Sequence, residues 1–156
     1  MAEGFTHLND EGNARMVDVG GKDVTARVAA AEAIVELSDE VRHRLFDGDL
    51  PKGDALGVAR VAAIMAAKQT SALIPLCHAI AIDGIDVEID EVEEGARVQV
   101  TARTTAKTGI EIEAMTAAAI GAVAIYDMVK GLDRAASVGS VRLLHKSGGK
   151  SGDWSR

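Results

Sequence analysis

Residues 80 to 103 alternate apolar and polar side chains about a Glu93-Glu94-Gly95 turn, and no other stretch constrains the fold so tightly. A period of two on both arms demands an antiparallel hairpin with one face against a core and the other in water. Ile85, Val87 and Ile89 fall on one face, and Asp86, Glu88 and Asp90 on the other. The parity set by Ile80 and Ile82 reverses across Gly84, which predicts a β-bulge there. A half-buried hairpin needs a second layer, and a chain of 156 residues has room for one domain to supply it.

The segments able to supply that layer are rich in alanine. Thr108-Gly109-Ile110-Glu111 matches a capping box and opens the strongest helical pattern, expected to run to about Leu132. A second long helix is expected from about Asp54 to Ser71, its small residues suited to close packing, and a short one from Ser38 to before Gly48. Residues 26 to 37 are ambiguous, because their alanines favour helix while Ile34 and Val35 favour strand. Val141 to His145 reads as a last strand. If residues 26 to 37 are a strand, the order is βαββαβ. That is an α+β, ferredoxin-like fold, an antiparallel sheet with two long helices on one face. Residues 1 to 22 then form an N-terminal arm that orders only against another surface, residues 23 to 146 a single domain, and residues 147 to 156 a flexible Gly/Ser/Lys tail.

Composition closes several functional classes. Seventeen Lys and Arg against twenty-four Asp and Glu give a net charge of −7, but seven of those acids lie in residues 83 to 94, which hold no base. The rest of the chain is balanced. An acidic total makes a nucleic-acid backbone a poor partner, and four aromatic residues are too few for a base-stacking platform. The single cysteine, Cys77, allows no internal disulfide and no zinc framework. The longest uncharged stretch, residues 69 to 82, is fourteen residues, short of the ~18 of a membrane span, and residues 1 to 10 do not read as a signal peptide. A soluble cytoplasmic protein is expected, with no metal, membrane or nucleic-acid partner.

Gly148-Gly149-Lys150-Ser151-Gly152 invites a phosphate-loop reading, but the position five before Gly149 is Leu144 rather than glycine. What survives is a basic lip, with Lys146 and Lys150 set among glycine and serine amides to meet an anion, or else a solvated tail. Cys77 and His78 are neighbours in an apolar stretch, where a histidine is either a satisfied core residue or a ligand contact, and neighbours do not form a nucleophilic dyad. Asp127 and Lys130, three apart on the long helix, are a surface ion pair or an acid and base held on a rigid element. Glu111 is explained by the capping box; Glu113 is not. Fourteen residues separate Glu113 from Asp127, so they lie on roughly one face but ~21 Å apart along the axis. One small ligand reaches both only if two copies of the helix approach antiparallel across an isologous interface.

Several ungapped motifs then stand together: MVDVG at 16–20, KGD at 52–54, IPLCH at 74–78, KTGIEIEAMTAA at 107–118, IYDMVK at 125–130 and VRLLHKSGGKSGDW at 141–154. In this order they strongly resemble the cyclic pyranopterin monophosphate synthase family of molybdenum-cofactor biosynthesis. The resemblance implies a homohexamer, a trimer of dimers with active sites at dimer interfaces. It implies a lyase that rearranges a cyclised dihydro-GTP into a pyranopterin and closes a cyclic phosphate as pyrophosphate leaves. By position in the motifs, Asp127 corresponds to the catalytic acid or base with Lys52 and Lys130 as partners. Leu76, Cys77, His78, Ile112 and Glu113 correspond to substrate-binding segments, and Arg27 and Lys146 to phosphate contacts. No resident cofactor is implied, although Mg²⁺ can accompany a triphosphate. Two clustered lysines should lower one amine's pKa and leave it able to act as a base. The alternative is a non-catalytic nucleotide-binding or regulatory module on the same oligomeric fold.

Overall fold

A computed structural model describes residues 7–9, 11–150 and 152–156. Residues 25 to 36 resolve the ambiguity of their composition as a strand, β1 (Thr25–Glu36). It is followed by α1 (Asp39–Phe46), α2 (Ala55–Leu73), β2 (Gly84–Val92), β3 (Gly95–Ala106), α3 (Glu111–Val129), β4 (Ser137–Ser147) and β5 (Trp154–Ser155). The sheet order is β2-β3-β1-β4-β5, and every pairing is antiparallel. Without β5 and the short α1, this is the ferredoxin-like βαββαβ arrangement.

Tertiary context decides β1. Its backbone is bonded on both edges, from Thr25↔Ala106 to Glu36↔Gly95 on one side and from Val28↔Ser147 to Glu36↔Ser137 on the other. Ala29, Ala31, Ala33 and Val35 are fully buried, as are Val98, Val100 and Ala102 of β3. Ala59 and Ala63 of α2 and Ala114, Ala117, Ala118, Ala122 and Ile125 of α3 are buried as completely. A core this short of bulky side chains gains its dispersion energy from close approach. Gly121 shows how close: a Cβ there would lie 3.0 Å from Val98 Cγ1 and 3.3 Å from Ala63 Cβ. By length and composition α3 is apolar enough to cross a membrane, yet half of that stretch is buried inside the protein.

Two local expectations are corrected. No bulge forms at Gly84. β2 begins there, and its register runs unbroken from Gly84↔Arg103 to Val92↔Gly95, so the parity reversal marks the start of the strand. The irregularities lie instead in the β1–β4 pairing, between Ala30 and Ala31 and between Ala33 and Val35. Nor does Thr108 cap α3. The N-cap is Ile110, with no side-chain bond, and Glu111 pairs with Lys146 at 3.2 Å. The acidic face of the hairpin is exposed, as expected, and it also carries surface ion pairs: Asp86 with Arg103 at 2.6 Å, Asp90 with Arg97 at 2.8 Å and Glu91 with Arg42 at 3.1 Å.

The two termini pack on the domain. His78 Nε2 donates to Val17 O at 2.8 Å and Lys107 Nζ to Gly20 O at 2.6 Å, which holds the described part of the arm. The tail returns to β4 through His145↔Ser155 and Lys146↔Trp154. At the other end of the domain, Asp133 Oδ2 accepts from Ser38 N at 2.8 Å, while its Oδ1 accepts from Ala135 N and Ala136 N. That carboxylate ties the exit of α3 to the end of β1.

Gly121→Val should destabilise the fold by about 1–3 kcal/mol, because the added methyls press into Val98 and Ala63 where backbone and small side chains leave no slack. Chemical denaturation of the variant beside the parent chain measures this.

Candidate active site

Asp127 lies in the last turn of α3 and Lys130 is its C-cap residue, so helical spacing alone brings ammonium and carboxylate to 2.8 Å. Lys52, in the loop before α2, reaches the same carboxylate at 3.3 Å and also donates to the Asp127 carbonyl at 2.5 Å. All three side chains are about half exposed. A carboxylate between two ammonium groups is held below its ordinary pKa, chiefly by Lys130 and then by Lys52. Lys130 is correspondingly raised by Asp127. Lys130 is therefore not the depressed amine that two clustered lysines suggested: the adjacent Asp127 carboxylate holds its proton in place. The trio in this arrangement offers a charged acid to a ligand, and displacing Asp127 from Lys130 would free a base.

A cleft of about 650 Å³ opens at the other end of α3, lined by Lys22, Arg27, Lys107 and Lys150, with Asp23 and Glu111 as its acids. The Arg27 guanidinium is oriented by the carbonyls of Ala106 at 3.2 Å and Lys107 at 3.4 Å. Lys146 pairs with Glu111 on the same rim. Four cations against two carboxylates make this a site for an anion, with glycine amides of the tail at its edge. Neither Lys22 nor Lys107 was given a role from the sequence, although Lys107 opens the motif at 107–118 and Lys22 lies two residues beyond the one at 16–20. Only the fold shows that the arm and the β3–α3 turn meet.

A smaller hollow of about 380 Å³ continues from this cleft, sharing Lys22, Thr108, Gly109 and Glu111. Its further wall is Val17, Leu76, Cys77, His78 and Ile112. Leu76 and Ile112 expose apolar surface, suited to a flat heterocycle. Beneath them Glu113 is 3 % exposed; its Oε1 accepts from Cys77 Sγ at 3.4 Å, and its buried Oε2 has no hydrogen-bond partner among the described residues. Burial raises the Glu113 pKa. Burial, then the nearby Glu113 carboxylate, pushes the Cys77 thiol up to about 11. Cys77 is therefore a protonated donor and no nucleophile. His78 is satisfied by the arm through Nε2.

The fold thus gathers Leu76, Cys77, His78, Ile112, Glu113, Arg27 and Lys146 around the N-terminal end of α3. Asp127, Lys52 and Lys130 stand at its C-terminal end. The length of the helix keeps the two groups apart within one chain. Among the described residues no group of three or more His, Cys, Asp or Glu could hold a metal ion.

An α+β protein with a ferredoxin-like sheet, an anion cleft and a Lys-Asp-Lys cluster is a small-molecule site built on a common fold. Comparison with known proteins narrows that class. Residues 16–149 match the model of the MoaC family, and the chain belongs to that family. It is 53 % identical over 155 residues to a cyclic pyranopterin monophosphate synthase of a Nocardioides species, covering 97 % of this chain and 95 % of the relative. Proteins of the same name from Pelotomaculum thermopropionicum and Peptoclostridium acidaminophilum are 52 % and 49 % identical, covering 98 % and 97 % of this chain and 91 % and 97 % of theirs.

Alkylation of Cys77 by iodoacetamide should be slow at neutral pH and climb roughly tenfold per pH unit toward a midpoint near 11. Glu113→Gln removes the charge that holds the proton, so its midpoint should move down. Rate against pH for the two chains reads both effects.

Proposed function

We propose that the protein is a cyclic pyranopterin monophosphate synthase, a lyase of molybdenum-cofactor biosynthesis, soluble in the cytoplasm. Its substrate is the cyclised dihydro-GTP, and its products are cyclic pyranopterin monophosphate and pyrophosphate. The observation that carries the reading, beside the family match, is the Asp127 carboxylate held between Lys52 and Lys130. Opening a purine ring and re-closing it as a pterin requires protons to move at fixed places. A carboxylate and two lysines can give and take them, while a binding module has no need of such a set.

The remaining residues divide the substrate between them. Lys22, Arg27, Lys107 and Lys150 suit the triphosphate, whose charge the leaving pyrophosphate carries away. Leu76, Ile112 and His78 suit the heterocycle, and Glu113, buried outside the lining of this hollow, supports its wall by accepting from Cys77. Mg²⁺, if it travels with the triphosphate, would be held by the phosphates rather than by a protein cage. Because the two residue groups stand at opposite ends of α3, the complete site pairs the cleft of one protomer with the Asp127 cluster of another. Such an isologous dimer is repeated three times in a hexamer.

Asp127→Ala should assemble as the parent does and lose product formation by about 100-fold or more, measured as pyrophosphate and pterin released from the cyclised dihydro-GTP. Near-normal turnover would remove the residue from the mechanism. Mixing inactive Asp127→Ala and Glu113→Ala chains after subunit exchange should restore part of the activity, since some interfaces then carry one intact cleft and one intact cluster. No recovery despite demonstrated exchange would count against a shared site.

A further inference from the structure

The roof of the anion cleft is a glycine loop with little side-chain packing of its own. Gly148 and Gly149 both have positive φ, +87° and +76°, and a Cβ on Gly149 would fall 2.3 Å from Arg27 Nη1. The backbone therefore passes directly over the Arg27 guanidinium, and Gly149 and Lys150 line the cleft beside it. Such a loop has many conformations to lose.

Residues 152 to 156 restrict it from several directions. Gly148 N donates to Asp153 Oδ1 at 3.2 Å, and Gly152 N donates to Gly149 O at 3.3 Å. β5 pairs with His145 and Lys146, the two residues that feed the loop. His145 Nδ1 and Ser155 Oγ share a hydrogen bond of 2.8 Å. Arg156 donates from its backbone N to Leu144 O at 2.9 Å and from Nε to Leu143 O at 3.0 Å, while its guanidinium lies 5.9 Å from the centroid of the Trp154 ring. Residues 152 to 156 are all exposed, Trp154 at 41 %, and none joins the hydrophobic core, so core packing does not account for these contacts.

We propose that residues 153 to 156 are a positioning clamp for the anion cleft: they hold the Gly148–Lys150 loop over Arg27, so that a phosphate chain meets a preformed roof. The clamp acts through the loop and touches no reacting atom. Its effect is on affinity, because a ligand that must first order the roof binds in proportion to the fraction of molecules already in that state. The phosphate role of the cleft is the one assigned under Proposed function, and the clamp rests on it.

The test compares the parent, a chain stopped at Asp153, and Asp153→Ala, which keeps β5 and removes only the Gly148 contact. Calorimetric titration with inorganic tripolyphosphate should show Kd raised about fivefold or more in the stopped chain and raised to a lesser degree in Asp153→Ala. On the cyclised dihydro-GTP, KM should rise by a similar factor while kcat stays within about twofold, since Lys52, Asp127 and Lys130 are untouched. An unchanged Kd in both variants overturns the clamp, as does a fall in kcat with KM unchanged, or a parent chain that fails to bind tripolyphosphate. A parent that binds tripolyphosphate with the expected difference between variants, yet releases no pyrophosphate from the substrate, keeps the clamp and sinks the synthase reading.

Discussion

The structure depends on how closely two helices can approach an alanine-lined sheet. Ala29, Ala31 and Ala33 of β1, Ala59 and Ala63 of α2, and Gly121 of α3 put almost no side-chain bulk between layers, so backbones approach and dispersion contacts replace large apolar groups. That packing sets the line of α3 across the sheet. Both charged groups described above take their places from this line, one at each end of a nineteen-residue helix. A shift of α3 would move the Glu113 carboxylate and the Asp127 cluster together.

The two ends are built on opposite electrostatic principles. At the C-terminal end Asp127 is exposed and surrounded by cations, so it is held as a carboxylate and Lys130 is held as an ammonium. At the N-terminal end Glu113 is buried against Cys77, and desolvation raises both groups. One end thus keeps charge and the other resists it. Two carboxylates on one helix have unlike proton affinities. The net charge of −7 bears on neither end: its excess lies along β2 and the hairpin turn, where several acids are paired with arginines, and β2 is an edge strand that charge protects from pairing with other chains.

Much of this was legible in residue order. The hairpin, both long helices and the short α1 follow from periodicity and turn chemistry, and Asp127 and Lys130 were paired by spacing alone. Other features were hidden because they depend on contacts between distant segments. Thr108 and Glu111 have the spacing of a capping box, but Lys146, which approaches only once β4 is in the sheet, takes the glutamate. Two lysines near one another suggested a depressed amine, and only the geometry about Asp127 shows that Lys130 is raised instead. Lys22 and Lys107 joined the cleft for the same reason, since the arm and the β3–α3 turn are far apart in the chain.

The sequence by itself determined which segments could be half-buried strands and which could be small-residue helices, because periods of two and about 3.6 are local properties of the backbone. It also carried, in its motifs, the family to which the chain belongs. Only the tertiary structure decided that residues 25 to 36 are a strand, since two flanking strands and a layer of helices outweigh the helical preference of alanine. Helical spacing already set Glu113 far from Asp127, but only the tertiary structure gathered Lys22, Arg27 and Lys107 into an anion cleft and brought Lys52 to Asp127, because contacts between distant segments are a property of the folded chain.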